Sequence, residues 1–332
     1  MSQSSPTDNH TRASLDALYG ALAATPHTMV TRDVVLAPYT TWKIGGPADL
    51  FIEVSDAQAA ATALSLLDAH GVEWVVLGNG SNVLVADAGY RGAVIWLGGE
   101  LSGVTLTRDA FGQGKHRVDA GAGLSLTRLL RLAKDENLSG LWVLGGIPGT
   151  VGGAVRMNAG TRWGEVKDTL FAVQVATRDG LVDLGADALG LGYRHSQLPF
   201  GAIVTRATFA VHDADASMRK KLEEVLSHRK STQPLQHPSC GSVFANPPGD
   251  SAGRLIEAVG LKGHREGDLE FSDQHANWII NTGRGTAKDA LALITLAQKR
   301  VADAFSILLR PEVIRIGDLE PRDLETDAGG SV

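Results

Sequence analysis

An α+β protein of two domains is predicted, and three observations predict it. The 332 residues exceed what one hydrophobic core usually organises. Strand-like alternation and helix-like spacing follow one another along the chain with no repeat of fixed period. Many of the 39 glycines fall in short clusters beside apolar strands, whereas a charged amphipathic helix changes the character of the chain near residues 212–217. The boundaries read from this are a partly disordered leader over 1–28, a first domain over 29–211 split into two subdomains near residue 98, a smaller domain over 212–317, and a disordered tail over 318–332.

Each element has a local reason. One helix is expected in the leader, from Ala13 to Ala24. ADLFIEV (Ala48–Val54) alternates as a strand does, and Asp56–Gly71 reads as a helix with Asp56 as N-cap and Gly71 just past its end. WVVLG (Trp74–Gly78) and AVIWL (Ala93–Leu97) are buried strands. HRVDAGAG leads through a glycine turn into a helix capped by Ser125. FAVQVATRDGLVDL (Phe171–Leu184) is a hairpin turning at Asp179-Gly180, and AIVTRATFAV (Ala202–Val211) adds another strand. Beyond the boundary come the helix MRKKLEEVLSHRKSTQP, a helix ended by Gly260, the strand HANWIIN, a long helix with Leu291, Ile294, Ala297, Val301 and Phe305 on its apolar face, and the strand RPEVIRIG.

Composition removes several classes of function. The net charge is −6 with no basic stripe, so neither nucleic acid nor an anionic membrane is an expected partner. A single cysteine excludes an internal disulfide and any multi-cysteine metal site, and the histidine spacing gives no ligand motif, so no metal is expected. No apolar run approaches a membrane span or signal core, so a cytoplasmic protein is expected. The six tryptophans are spread out and read as packing.

Two glycine clusters point to an anion. LGNGSNVLVADAG (Leu77–Gly89) puts a Gly-x-Gly turn straight after a strand, but Val83 stands where a dinucleotide fingerprint needs glycine. GGIPGTVGGAVRMNAG (Gly145–Gly160) is as glycine-dense as a P-loop yet lacks the lysine and hydroxyl residue that follow one. Both suit a concave nest of backbone N–H groups, with Ser81, Asn82, Thr150 and Asn158 as neutral donors; tight β-turns are the alternative. PSCGSVFANPPGD (Pro238–Asp250) has no helical or strand period and reads either as a loop that holds a reactive group, Ser242 or Cys240, or as a loop only.

TTWKIGGPADLF, LGNGSNVLVAD, GGIPGTVGGAVRMNAG, GYRHSQLPF, GSVFANP, AGRLIEAVGLKG and LRPEVIRIG occur in an order and approximate spacing that resemble the UDP-N-acetylenolpyruvoylglucosamine reductases, flavoenzymes of peptidoglycan precursor synthesis. The resemblance runs from about Pro38 to Gly317, and the short interval between RATFAV and PSCGS resembles the family's short-loop branch. It implies FAD bound non-covalently in a two-subdomain fold of the vanillyl-alcohol-oxidase type, followed by a smaller α+β substrate-binding domain. It also implies NADPH as hydride donor and UDP-N-acetylglucosamine enolpyruvate as the substrate reduced to UDP-N-acetylmuramate. A monomer is favoured. Ser242 corresponds to the proton donor, Arg194 to the arginine near the substrate carboxylate and Glu312 to the glutamate beside it, with Tyr193, Asn246 and His275 toward the substrate. Cofactor contacts are implied for Trp42, Ile44, Gly45 and Gly46, for Gly78, Asn79, Gly80, Ser81 and Asn82, and for Gly146, Ile147, Pro148, Gly149, Thr150, Gly152, Gly153 and Ala154. Ala245 replaces the family's lysine, and Thr161, Arg162 and Trp163 interrupt its Ala-Tyr-Gly sequence. Another FAD-dependent oxidoreductase of the same fold, or a non-catalytic nucleotide-sugar-binding module, is the alternative.

The residue types suit that chemistry. Hydride addition at the methylene carbon of an enolpyruvyl ether builds enolate charge on the carboxylate side, and arginine offers a fixed, permanently charged fork to hold it. Glu312 beside an enolate has to be protonated or to orient a cation or water, so a raised pKa or a hydrogen-bonded acid role is expected. Ser242 is a weak acid, but the centre it would protonate is a strong base.

Overall fold

The structure, a computed structural model, describes residues 6–161, 163–214 and 216–319, without the side chains of 6–13 and 216–219. Arg162 and nearly all of the expected tail lie outside the described residues. The chain begins with α1 (Pro6–Ala23), β1 (Thr28–Val35), β2 (Pro47–Val54), α2 (Ala57–Ala69), β3 (Trp74–Val76), β4 (Val83–Val85) and β5 (Tyr90–Leu97). It continues through β6 (Val104–Thr107), β7 (Lys115–Gly121), α3 (Leu126–Asp135), α4 (Val151–Arg156), β8 (Gly160–Thr161), β9 (Gly164–Glu165), β10 (Leu170–Thr177), β11 (Gly180–Gly185) and β12 (Ile203–His212). The remainder holds α5 (Ala216–Thr232), β13 (Ser239–Ser242), α6 (Ala252–Ala258), β14 (Arg265–Glu266), β15 (Leu269–Phe271), β16 (Trp278–Asn281), α7 (Ala287–Phe305) and β17 (Ile314–Ile316).

Three sheets carry the architecture. The first has the order β1-β2-β5-β3, with β5 parallel to both of its neighbours. The second, β11-β10-β12-β7-β6, is antiparallel throughout. Helix α2 is buried between the two, because Ala60, Ala63, Leu64 and Leu67 line one face and join the core of both sheets. Its start is fixed by Asp56, whose carboxylate accepts from Ala59 N at 2.7 Å. The third sheet, β13-β16-β15-β14, packs on α6 and α7 to form a separate core.

Several expectations change on folding. Leu18 and Leu22 of α1 are fully buried in the first core, so the segment read as a frayed leader docks there. Gly180 pairs with Thr177 across the hairpin, which moves the corner back to Arg178-Asp179. The PSCGS segment is not a loop throughout: Ser239–Ser242 is a short strand on β16. Leu291, Ile294, Ala297 and Val301 are buried as expected, but Phe305 is 38% exposed. Helix α7 ends at the left-handed Ser306, and the Phe305 ring lies beneath the Arg254 guanidinium at 5.7 Å instead.

Two links join the last third of the chain to the first. Strand β17, expected to close the second domain, instead lies parallel to β4, with Ile314, Arg315 and Ile316 opposite Val83, Leu84 and Val85. The Asp87 carboxylate accepts from Ala287 N at 2.8 Å and Lys288 N at 3.2 Å, satisfying orphan donors in the first turn of α7. Among the described residues no helix is long and apolar enough to cross a membrane. Replacing Asp87 by Ala removes both acceptors and is expected to lower stability by about 1 kcal/mol, read as a lower midpoint in urea unfolding at unchanged slope.

Candidate active site

A cleft of about 2020 Å3 opens between the first two sheets and the third. That is roughly twice the upper end for a pocket holding one drug-sized ligand, so a dinucleotide and a second molecule both have room. One wall is a cradle of two facing turns, Gly78–Asn82 after β3 and Ile147–Thr150 before α4. The turns are stitched by side chains: Ser81 Oγ donates to Pro148 O at 2.9 Å and Asn79 Nδ2 to Gly149 O at 3.2 Å. They approach so closely that a β-carbon on Gly78 would stand 2.6 Å from Thr150 Oγ1. Gly80 has φ +59 and lies under the Tyr39 carbonyl, where a β-carbon would be 2.4 Å from the oxygen.

The stitching changes which groups are left for a ligand. Ser81 and Asn79 are engaged as above, Asn82 Nδ2 donates to Glu312 O at 3.1 Å, and Thr150 Oγ1 accepts from Gly153 N. Asn158 is fully buried and hydrogen-bonded within the protein. The side chains expected as neutral anion donors therefore hold the loops. The backbone N–H groups of Gly78 to Asn82, and those of Gly149 and Thr150, have no protein acceptor among the described residues. Converging unpaired N–H groups with no carboxylate among them, and glycines where no β-carbon fits, match what a diphosphate requires. The cradle fits the pyrophosphate of FAD.

A second cluster faces the cradle. Arg194 and Glu312 form an ion pair, Nε to Oε1, at 3.4 Å, with side chains 28% and 12% exposed. Arg194 holds a left-handed backbone, φ +54, and its guanidinium covers the Tyr193 ring at 5.0 Å. Burial pushes the Glu312 carboxyl above the ordinary glutamate value, while the charges of Arg194 and Arg310 and hydrogen bonding from Arg194 and Tyr193 pull the other way. Ser242 ends β13 on the cleft wall, preceded by Gly241 at φ +80, and its hydroxyl has no protein partner among the described residues. Glu312 N donates to Val243 O at 2.8 Å, which sets the glutamate strand beside the serine strand. The serine strand is itself clamped by buried Asn277, which exchanges hydrogen bonds with Phe244 at 3.0 and 2.8 Å.

Other expected contacts lie elsewhere. Trp42 and Ile44 are core side chains of the third sheet's cluster, and Gly45 and Gly46 pack against Val85 and the Asp87 carbonyl behind the cradle. Gly146 sits against the Arg229 side chain, whereas Ile147 through Thr150 and Gly152 through Ala154 line the cleft apart from Val151. Asn246 is exposed and accepts from Ala252 N at 3.0 Å, supporting the start of α6. His275 accepts from Asn277 N, packs against Trp278 and lies beside Gly253, behind the serine strand; burial lowers its pKa. Cys240 is 3% exposed, and burial raises its thiol far above the ordinary range.

The sequence missed one wall of the cleft. Arg229 and Gln233, one turn apart where α5 ends, line it, and Arg229 Nε and Gln233 Oε1 are buried with no hydrogen-bond partner among the described residues. Burial first, and the neighbouring charge of Arg194 second, lower the Arg229 pKa. A charged helix before a proline reads as a solvated face, which hid them. Trp163, read as packing, lines the cleft edge-on to His228, their ring centroids 5.9 Å apart.

Most of the chain is similar to known proteins. Residues 48–185 match the family model for an FAD binding domain. Residues 233–316 match the model for the UDP-N-acetylenolpyruvoylglucosamine reductase C-terminal domain. A UDP-N-acetylenolpyruvoylglucosamine reductase of Anaeromyxobacter dehalogenans is 45% identical over 295 residues, covering 89% of this chain and 88% of its own. One from Myxococcus xanthus is 44% identical, covering 85% and 91%. The crystal structure of the Thermus caldophilus reductase superimposes with a TM-score of 0.74 at 41% identity, covering 87% of this chain and 99% of that one. Gly78→Ala, which forces Thr150 out of place, is expected to weaken FAD binding roughly tenfold, or about 1.4 kcal/mol. Titration of the apoprotein with FAD, followed by fluorescence quenching, measures it.

Proposed function

Because this chain belongs to the UDP-N-acetylenolpyruvoylglucosamine reductase family, we propose that it uses NADPH to reduce UDP-N-acetylglucosamine enolpyruvate to UDP-N-acetylmuramate, with Ser242 as the proton donor. It is an FAD-dependent oxidoreductase of peptidoglycan synthesis. The observation that carries the finer reading is the convergence of Ser242, Arg194 and Glu312, from three distant segments, on one cleft that also contains the glycine cradle. Bound FAD supplies the two-electron carrier between NADPH and the substrate.

The chain's own residues account for the rest. The cradle holds the cofactor's diphosphate through main-chain N–H groups, which add no charge of their own. Arg194 orients the substrate carboxylate and stabilises the charge that gathers there once hydride has added at the methylene carbon. The Ser242 hydroxyl, unengaged and fixed on β13, delivers a proton to the carbon next to the carboxylate. Burial raises the Glu312 pKa above the ordinary glutamate value; in its carboxylate form it pairs with Arg194, and in its protonated form, the one we assign to the reacting complex, it does not repel the developing enolate. Arg229 gives the substrate's diphosphate a desolvated cation. NADPH and the enolpyruvyl sugar use the same cleft in turn. The nucleotide-linked substrates place the activity in the cytoplasm, and one chain supplies every residue named.

Two measurements test this reading. In Ser242→Ala, reduction of the flavin by NADPH is expected to persist, while reoxidation by the enolpyruvyl sugar falls by on the order of 10² to 10⁴-fold; equal losses in both half-reactions would overturn the proton-donor role. For Glu312 the sign follows from the direction of its shift. The folded pKa lies above the unfolded value near 4.5, so the protonated form and its contribution to stability persist to higher pH and are lost as pH rises through the folded value. The reoxidation rate is expected to decline across that same rise, and Glu312→Gln to remove this limb from the pH profile while lowering the plateau.

A further inference from the structure

Asn158 stands outside the proposed catalytic trio but is hydrogen-bonded to the turn that carries one member. It follows α4, with no exposed surface and a left-handed backbone, φ +39. Both ends of its amide are committed. Nδ2 donates to Gly192 O at 2.9 Å and to Glu165 Oε2 at 3.0 Å, and Oδ1 accepts from Lys167 N at 3.0 Å. Gly192 opens a tight turn that closes on His195, the two exchanging backbone bonds at 3.0 and 3.2 Å. Arg194 lies inside this turn in a conformation that a side-chain-bearing residue adopts only when its surroundings hold it there. The far end is tied too, by Ser196 Oγ donating to Arg156 O at 2.7 Å. Both anchors therefore belong to the segment around the end of α4.

We propose that Asn158 is a positioning residue for Arg194: its amide fixes the Gly192 carbonyl, keeps the turn closed, and so aims the guanidinium at the substrate carboxylate. The inference rests on the role given to Arg194 above. A side-chain misplacement of about 1 Å can cost on the order of 10²-fold in rate, and release of the turn gives Arg194 a route to a relaxed backbone and a different aim. A purely structural brace would destabilise the protein without singling out Arg194.

A double-mutant cycle tests the proposal on the FAD-loaded enzyme. Asn158→Ala is expected to slow reoxidation of the reduced flavin by the enolpyruvyl sugar by on the order of 10²-fold and to raise the dissociation constant for the carboxylate-bearing product, UDP-N-acetylmuramate. Flavin content and flavin reduction by NADPH stay unchanged. In the Arg194→Ala background the same substitution is expected to have no further effect on either reoxidation or product binding. Equal fractional losses in both backgrounds overturn the positioning role and leave only a brace. An Arg194→Ala enzyme that reoxidises normally overturns the reading of Arg194, and this inference with it. If Asn158→Ala does not fold, Asn158→Asp carries the test. Ionised, with Glu165 and Lys167 beside it, it can accept from Lys167 N but cannot donate to Gly192 O. Its reoxidation rate relative to the unsubstituted enzyme should recover as pH falls and the new carboxyl gains a proton to donate; a ratio flat with pH overturns the proposal.

Discussion

The parallel pairing of β17 with β4 is the constraint on which the site depends. Strand β4 follows the first cradle turn, and β17 follows Glu312 by one residue beyond the intervening Val313. Pairing them seats Ile314 N on Asn82 O at 3.0 Å and brings the Glu312 carbonyl to Asn82 Nδ2. The Glu312 N–H reaches Val243 on the other side, beside Ser242. One short strand thus sets the distance between the glycine cradle, Ser242 and Glu312. Strands this short bury little area of their own, so the adjoining cores must supply the rigidity, through Leu84 and Val313 in one and Val85 and Ile316 in the other.

Division of labour within the cradle follows from the same economy. A loop that binds an anion through its main chain has to be kept open without spending those N–H groups on internal bonds. Here Asn79, Ser81 and Asn82 use their side chains to fasten the turns, glycine at 78 removes the carbon that would collide with Thr150 of the opposite turn, and glycine at 80 removes one that would collide with the Tyr39 carbonyl. The neighbouring block from Trp42 to Gly46 works one layer further back: Asn281 Nδ2 donates to the Trp42 carbonyl at 3.0 Å, joining that block to the third sheet.

Much of this was legible in the sequence because it is local. Caps such as Asp56 and Ser125 and alternation such as Ala48–Val54 depend on neighbours a few residues away, and they stand where periodicity and capping place them. The two-subdomain FAD-binding fold and the family were legible from blocks of residues in order. What was hidden depends on distant partners. The use of Asn82 and Asn158 is decided by carbonyls at 312 and 192, and the place of β17 by a strand in the first domain. Arg229 and Trp163 reach the cleft through the way α5 and the β8–β9 turn are packed, which no helical period encodes.

The β17–β4 pairing also gives the chain a timetable. The partners Asn82 and Glu312 are 230 positions apart, and the ribosome releases the chain from its N-terminus onward. The two cradle turns are therefore made well before the segment that carries Glu312 to them. A chain interrupted before β17 would carry the glycine cradle without the strand pairing that brings Glu312 beside Ser242.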